Sequence, residues 1–397
     1  MNMESLDAPA GVANARERRI LIGSAAAYTI PMAVIWLQPV LLAEVLAVKG
    51  TTEASAGLLV TAEMTALSVS SLMCVRFGKG IPYIRIALLG MVLAAIGNAL
   101  SFFASSYWML FATRIIAGAG EGTPLMVGNA AVAGVADPDR AYAKITAFSI
   151  VVSAVLIYVA PALGPVSGGR ATAASLLACL ILLFPPVILM PRSYRFDPVM
   201  AAARTAAGRI SPTIILTLVA FSCFTLVNAS TWSFFFLIGQ RTGLTADAVN
   251  HAISVSIVFS IAGSLAANWV GRRWRRFLPV GIGLVGVTIA LWCLSVTRSV
   301  SLYRGSMDLN MFASYFAIPF FFGYAAAADP TGRGSAWMGA VIPLSFTLGP
   351  LLGGIVFGQF GYKIMGPITL ASDAIAFVLI LYVERTSVQA ARPAVIP

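Results

Sequence analysis

Twelve apolar runs, each long enough to cross a lipid bilayer, dominate this 397-residue chain. A helix needs about 20 residues to cross the hydrocarbon core, where it satisfies its own backbone hydrogen bonds. The runs lie at 20–46, 54–75, 83–104, 107–132, 141–165, 170–190, 213–238, 246–270, 277–297, 304–327, 333–358 and 362–383. With 59% hydrophobic and 10% charged residues, the chain has too little polar surface for a soluble globule. The sequence predicts an all-α membrane protein with twelve transmembrane helices.

The composition argues against several other classes of protein. The four cysteines lie inside apolar runs without CxxC spacing, and His251 is the single histidine, so we expect no disulfide framework, metal site or cofactor. No GxxxxGK[ST] motif suggests ATP as the energy source. A membrane-embedded enzyme would need a convergent set of nucleophile, base or metal ligands, which this composition does not supply. We therefore expect no enzymatic activity.

The distribution of positive charge predicts that both termini are cytoplasmic. On that orientation the inner loops and tails hold 19 Lys and Arg residues and the outer loops hold six; Arg114 is the last of the 26. The net charge of +11 therefore indicates membrane lipids rather than nucleic acid as the partner of the basic loops. The first apolar run is too long for a signal-peptide core, which predicts an anchored first helix. We expect a monomer in a bacterial inner (plasma) membrane.

Repeated sequences divide the chain into two related halves. GPVSGG at 164–169 recurs as GPLLGG at 349–354, and ADP at 136–138 recurs at 328–330. Such repeats are typical of transporters built from two bundles. The longest polar connection, at 191–212, lies between them. We predict an N-terminal six-helix bundle at 1–190, a central cytoplasmic linker at 191–212 and a C-terminal six-helix bundle at 213–397.

Glycine- and arginine-rich loops follow the second and eighth runs, as SLMCVRFGKG and SLAANWVGRRWRR. They resemble the loop signature G-x-L-A-D-R-x-G-R-R of the major facilitator superfamily, and that resemblance covers nearly the whole chain. It implies two six-helix bundles and alternating access to a central site. The matching gating-loop positions are Arg76, Gly78, Lys79, Asn268, Gly271, Arg272 and Arg273. Val75 and Asn268 replace the family's aspartate, which removes its gating salt bridge, and simple positive-inside anchoring remains the alternative.

The GPxxGG repeats also resemble the antiporter motif of drug exporters in this superfamily. The positions are Gly164, Pro165, Gly168 and Gly169 in the first copy and Gly349, Pro350, Gly353 and Gly354 in the second. Small residues let helices approach closely, and proline leaves a backbone carbonyl unpaired and permits a bend. A helix-bend motif and a purely structural role in helix packing both stay open.

Two charges interrupt the fourth run at RIIAGAGEG. Arg114 and Glu121 are seven residues apart, so on a helix they share one face about 10 Å apart along the axis. Ionisable groups inside a membrane are costly, and they usually border a water-filled path or a partner. The stretch also resembles the fourth-helix motif of proton-linked members of the superfamily. With Glu63, the other deep carboxylate, the pair predicts a proton-coupling site; a structural ion pair between helices is the alternative.

The resemblance implies a substrate cavity lined by the first, fourth, seventh and tenth helices. Its candidate residues are Tyr28, Trp36, Gln38, Asn228, Thr231, Trp232, Asn310 and Tyr315. Aromatic and amide groups of this kind suit flat or amphiphilic molecules. We expect Asp308 to lie in a vestibule, Asp373 to have a peripheral packing role and His251 to cap a helix or line a vestibule.

Together these features predict a secondary active transporter that moves a small organic molecule by alternating access. Proton-coupled efflux of a lipophilic or weakly cationic compound is favoured by the GPxxGG motif and by the excess of carboxylates over the single Arg114. Proton-coupled uptake of an organic anion is the alternative, because an arginine is a natural carboxylate clamp. A non-transporting membrane sensor of the same fold also stays open. The expected partners are a small-molecule substrate, protons and membrane lipids.

Overall fold

The computed structural model describes residues 10–77, 80–132, 135, 138–190, 211–271, 273–328 and 333–390, and these form helices and short connections without a strand. A 3-10 turn at Tyr362–Ile364 precedes the last helix. The helices are α1 Ala10–Leu46, α2 Glu53–Phe77, α3 Tyr83–Ser101, α4 Tyr107–Val132, α5 Pro138–Val166, α6 Ala171–Ile188, α7 Pro212–Trp232, α8 Phe235–Arg241, α9 Ala246–Val270, α10 Phe277–Val296, α11 Val300–Ala328, α12 Arg333–Phe360 and α13 Met365–Ala390.

The helices confirm the predicted all-α membrane class. In the described part of the chain, eleven helical segments are long and apolar enough to cross a membrane. Helix α4 is outside that set, although at 26 residues it is as long as the others. It carries Arg114 and Glu121 together with four glycines, which lower its mean hydropathy.

The seventh apolar run requires a correction, because it is two helices rather than one. The chain turns at Ser233 and Phe234, where the Phe234 amide donates to the Thr231 carbonyl at 3.0 Å. The turn inserts the fully buried Phe234 ring against Phe357, with centroids 5.1 Å apart, and against Tyr362 at 5.9 Å. This aromatic packing depends on residues over 120 positions away, so hydropathy could not reveal the break.

The chain divides into two compact units. The first contains Met1–Glu44 and Ala62–Ala202, and its most extensive helix contact is between α3 and α4. Helix α6 packs on both α3 and α5. The Tyr142 hydroxyl donates to the Asn129 carbonyl at 2.9 Å and so ties α5 to α4. This unit holds all of the predicted proton-coupling residues.

The second unit contains Val45–Thr61 and Ala203–Pro397. Its main contacts join α11 to α9 and α10, and α7 to α12 and α13. Ser211 caps α7, where its hydroxyl accepts from the Ile214 amide at 3.4 Å. The first half of α2 packs on α12 in this unit, and the Thr61 hydroxyl donates to the Thr347 carbonyl at 2.7 Å. Ser211 and Pro212 are the described residues of the predicted linker; 191–210 lies outside the described part.

The two GPxxGG copies have different structures. In the first copy α5 ends at Val166, and Gly168 and Gly169 follow in a turn with φ of 62° and 82°. Left-handed backbone of this kind favours glycine, so these two residues end the helix rather than bend it. This corrects the expected helix-bend role for that pair, whereas Gly164 and Pro165 lie within α5.

The second copy, Gly349 to Gly354, lies wholly inside α12. A Cβ on Gly354 would collide with the backbone of Glu53, and one on Gly349 would meet the backbone of Ala229 and Ser230. Its glycines therefore permit close approach to α2 and α7, in agreement with the packing role that small residues play in membrane helices.

Candidate functional site

A buried ionic cluster joins α2, α3 and α4 in the first unit. Nη2 of Arg114 on α4 pairs with Oε1 of Glu63 on α2 and lies 4.0 Å from Oε1 of Glu121. Nη1 of Arg114 donates to Oδ1 of Asn98 on α3 at 2.7 Å. The side chains of Arg114, Glu63 and Glu121 are 1%, 0% and 1% exposed. One cation therefore serves two carboxyl groups away from solvent.

Glycines in α4 make this arrangement possible. A Cβ on Gly118 would collide with the backbone oxygen of Glu63, and one on Gly120 would collide with the backbone of Ala94 and Gly90 on α3. Helix α4 is therefore held close to α2 on one side and to α3 on the other. This close approach brings the carboxyl group of Glu63 to Arg114, a contact between helices that the spacing within α4 does not encode.

Asn98 is a member of the cluster that the sequence analysis missed. Its Oδ1 accepts from Arg114, and its Nδ2 donates to the Ala94 carbonyl at 2.9 Å and to Oε1 of Glu121 at 3.4 Å. The amide therefore bridges the cation and the second carboxyl group. Its sequence signal is a polar amide inside the apolar third run, a weaker signal than a charge.

The cluster leaves several polar atoms unused. Oε2 of Glu63, Nε of Arg114 and Oε2 of Glu121 are buried without a hydrogen-bond partner among the described residues. If both carboxyl groups were ionised, two negative charges would face one positive charge, a net charge of −1. Burying an uncompensated charge costs several kcal/mol, about the cost of breaking a buried ion pair. The cluster is electrically balanced when one of its two carboxyl groups carries a proton.

Two other carboxyl groups, of the half-buried Glu44 and the buried Asp373, have different surroundings. Oε1 of Glu44 on α1 accepts from the Thr172 amide at 2.7 Å and from its hydroxyl at 3.1 Å, and so caps the first turn of α6. Oδ2 of Asp373 on α13 accepts from the Thr288 hydroxyl at 2.8 Å. Asp373 belongs to the second unit, where this hydrogen bond joins α13 to α10, and its buried Oδ1 has no partner among the described residues.

The candidate cavity residues of α1 belong to the first unit. Gln38 is fully buried and Trp36 is nearly so. Tyr28 is half-buried and hydrogen-bonds to Thr146 on α5. A Cβ on Gly128 would touch Tyr28, so α1 approaches α4 closely at this point. These side chains are largely part of the helix packing of the first unit.

The candidates on α7 and α11 belong to the second unit, where the structure brings some of them together. Oδ1 of Asn228 on α7 accepts from the Ser314 hydroxyl on α11 at 3.2 Å. Asn310 lies one helical turn before Ser314, and its buried Oδ1 has no partner among the described residues. Tyr315, the next residue along α11, is half-buried. A polar patch therefore joins the seventh and tenth predicted spans.

Thr231 and Trp232 contribute to packing instead. Both are buried. The Thr231 hydroxyl donates to the Val227 carbonyl of its own helix at 2.8 Å. The Trp232 ring packs edge-on against Phe235, with centroids 5.6 Å apart.

The gating-loop candidates are only partly described. Gly78, Lys79 and Arg272 lie outside the described residues, and so does the side chain of Arg76. Gly271 ends α9 with a φ of 46°, the tight turn for which glycine was expected. Arg273 donates from Nη1 to the Trp269 carbonyl at 2.8 Å, and its guanidinium lies over the Trp269 ring. Asn268 is exposed in the same turn.

The helices and their buried charges define a multi-pass membrane protein with a transporter fold. The sequence model of the Major Facilitator Superfamily matches residues 20–331, so this chain belongs to that superfamily. This confirms the resemblance that the loop signature indicated. No curated protein sequence matches the chain.

Solved transporter structures share the fold. The nucleoside transporter NupG is 13% identical with a TM-score of 0.69, over 93% of this chain and 99% of that one. A bacterial homolog of the human lysosomal transporter Spinster, inward-facing and unoccupied, is 15% identical with a TM-score of 0.65, over 95% of each chain. Tetrameric PepTSo2 is 13% identical with a TM-score of 0.66, over 94% of this chain and 99% of that one. At these identities the likeness concerns the fold alone.

Proposed function

We propose that this protein is a proton-coupled secondary transporter in which the cluster of Arg114, Glu63, Glu121 and Asn98 carries the proton. The observation that supports this most strongly is the buried guanidinium shared by two carboxyl groups. Because Glu63 is the closer partner of Arg114, Glu121 is the group that holds the exchangeable proton. Alternating access would move these helices and change the distance from Arg114 to Glu121, and with it the protonation of Glu121.

The preferred transport mode is export of a lipophilic or weakly cationic compound in exchange for protons. Two features support it: the excess of carboxyl groups over arginine in the cluster, and the polar but uncharged patch of Asn228, Asn310 and Ser314 in the second unit. Amide and hydroxyl groups hydrogen-bond a ligand without demanding a negative charge on it.

Uptake of an organic anion is less well supported, because Arg114 already has partners in the cluster and would have to exchange one of them for the carboxylate of a substrate. Both terminal nitrogens of the guanidinium already have partners, Nη1 on Asn98 and Nη2 on Glu63. An anionic substrate would have to displace Glu63 from its buried ion pair, which costs about 3–5 kcal/mol when a pair of this kind is broken.

The test is a flux assay with the purified protein in liposomes that contain a pH-sensitive dye. Tetraphenylphosphonium serves as the lipophilic cation and benzoate as the organic anion. Relative to protein-free liposomes, we expect tetraphenylphosphonium flux through the protein to drive protons in the opposite direction and benzoate to drive no further proton movement. Proton movement in the same direction as benzoate, beyond that in protein-free liposomes, would establish the symport alternative. Binding of either probe without any flux would favour a membrane sensor.

A further inference from the structure

An arginine-lined cavity lies in the second unit, at the junction of α9, α10, α11 and α13. Its volume is about 720 Å3. The turn between α9 and α10 contributes Arg273, Arg275 and Arg276, and α13 contributes Glu384. Three cations and one carboxylate give the lining a net charge of +2. The proposed transport mechanism uses none of these residues.

The charges of the three arginines exceed that of the single carboxylate in the described lining of the cavity. None of the three forms an ion pair with another residue in the described part of the chain, where the ion pairs are those of Arg114. Glu384, the carboxylate of the lining, forms no ion pair with these arginines, and its Oε2 accepts from the Tyr324 hydroxyl at 2.6 Å. Arg276 lies against α11 at Gly323, where a Cβ would be 3.5 Å from its Nε. Arg275 and Arg276 therefore have donors without a carboxylate partner among the described residues, and these can bind an anion.

The cavity also has apolar lining. Pro319 and Phe320 of α11 and the exposed Trp274 contribute it, and Trp269 lies exposed nearby under the Arg273 guanidinium. Tryptophan is enriched where membrane proteins meet the headgroup layer, and arginine pairs with phosphate through charge-assisted, often bidentate, hydrogen bonds. A free phosphate ion would contact the arginines only, whereas a phospholipid would contact both the arginines and the apolar side chains.

We propose that this cavity binds the phosphate headgroup of an anionic phospholipid. Arg275 and Arg276 hold the phosphate oxygens, and the upper acyl chain packs against Trp274 and Phe320. Basic pockets between membrane helices bind anionic headgroups in this way. The site makes the second unit sensitive to the anionic lipid content of the membrane.

The test measures thermal unfolding of the purified full-length protein in detergent during titration with phosphatidylglycerol, phosphatidylcholine or inorganic phosphate. A ligand that binds the folded state stabilises it by RT ln(1 + L/Kd), where L is the free ligand concentration, so the melting temperature rises as that concentration exceeds the Kd. We expect phosphatidylglycerol to stabilise the wild type and phosphatidylcholine to do so weakly. Inorganic phosphate should have no effect. A stabilisation by inorganic phosphate equal to that by phosphatidylglycerol would overturn the lipid in favour of a soluble anion.

Matched variants show whether the cavity is responsible. Arg275→Gln with Arg276→Gln should weaken the apparent affinity for phosphatidylglycerol by about tenfold or more, the loss expected for a charged hydrogen bond. Arg304→Gln, an exposed arginine on α11 outside the cavity, should leave it unchanged. An equal response of both variants would overturn the proposal. If the double glutamine variant does not fold, the test is instead the quenching of Trp274 fluorescence by brominated phosphatidylglycerol. The contribution of Trp274 is the difference between the wild type and Trp274→Phe. Absence of quenching would contradict the site.

Discussion

Arg114 on α4 and Glu63 on α2 form a buried ion pair that joins two helices of the first unit. Glu121 lies 4.0 Å from the same guanidinium nitrogen, so the three groups together are neutral only when one carboxyl group carries a proton. A pair of equal and opposite charges would serve packing alone. The additional carboxyl group gives the cluster two protonation states, and this is the physical basis of the proposed coupling.

Glu121→Gln should uncouple transport from protons. Glutamine keeps the shape and accepts the hydrogen bond from Asn98, but it cannot take up or release a proton. We expect accumulation driven by a pH gradient to be lost and counterflow exchange to continue, measured in liposomes with tetraphenylphosphonium. Asp373→Asn is the matched control, because it neutralises a buried carboxyl group in the other unit, and it should leave coupling intact. Unaltered coupling in Glu121→Gln would remove Glu121 from the mechanism.

Arg114→Met should destabilise the protein strongly. Removing one partner of a buried ion pair costs about 3–5 kcal/mol, since the remaining charge is uncompensated. Adding Glu63→Gln and Glu121→Gln to Arg114→Met should recover much of that loss, because no buried charge then remains. Thermal unfolding in detergent measures both effects. A triple variant no more stable than Arg114→Met would show that the guanidinium contributes packing rather than charge compensation.

Asn98→Leu should reduce stability and alter the pH dependence of transport. It removes the hydrogen bonds that Asn98 makes with Arg114 and Glu121, and a hydrogen bond to a charged group contributes about 1.5–3 kcal/mol. Ser101→Ala, one turn along α3, is the control. It removes only neutral hydrogen bonds, to the Gly97 carbonyl at 2.9 Å and to the Thr113 hydroxyl at 3.1 Å, and should change stability by about 1 kcal/mol without changing the pH profile. Identical pH profiles for Asn98→Leu and the wild type would contradict the bridging role.

Gly118→Ala should impair both stability and transport. Its Cβ would collide with the backbone oxygen of Glu63 and push α2 away from α4. Such overpacking costs about 1–3 kcal/mol. Gly305→Ala is the control, because nothing lies within 4 Å of a Cβ at that position inside α11. It should stabilise the protein by up to about 1 kcal/mol through helix propensity. Equal melting temperatures for the two variants would contradict the close helix approach.

Hydropathy alone predicted the helices well. The thickness of the bilayer sets the length of a membrane-spanning helix, and that length is visible in the sequence as a run of apolar residues. The break at Ser233 and Phe234 escaped notice because the apolar run continues through it. The sequence also did not predict that the two GPxxGG copies have different structures. The first copy lies at the end of α5, whereas the second lies inside α12.

The candidate site was predicted in part. Helical spacing placed Arg114 and Glu121 on one face, but the closer partner, Glu63, comes from another helix, and no local pattern encodes that approach. Asn98 was missed because an amide in an apolar run is less conspicuous than a charge. In the cavity set, Asn228 meets α11 through Ser314, whereas Thr231 and Trp232 turn out to be packed within the second unit.

The most direct test of the central claim is infrared difference spectroscopy of the carboxylic acid band at neutral pH, without substrate. The wild type should show a band from the protonated carboxyl group of the cluster. This band should disappear in Glu121→Gln. It should remain in Asp373→Asn, which loses only the signal of Asp373 itself. If the spectrum of Glu121→Gln retained the full carboxylic acid band of the wild type, the cluster would hold no extra proton on Glu121, and the proposed coupling site would be contradicted.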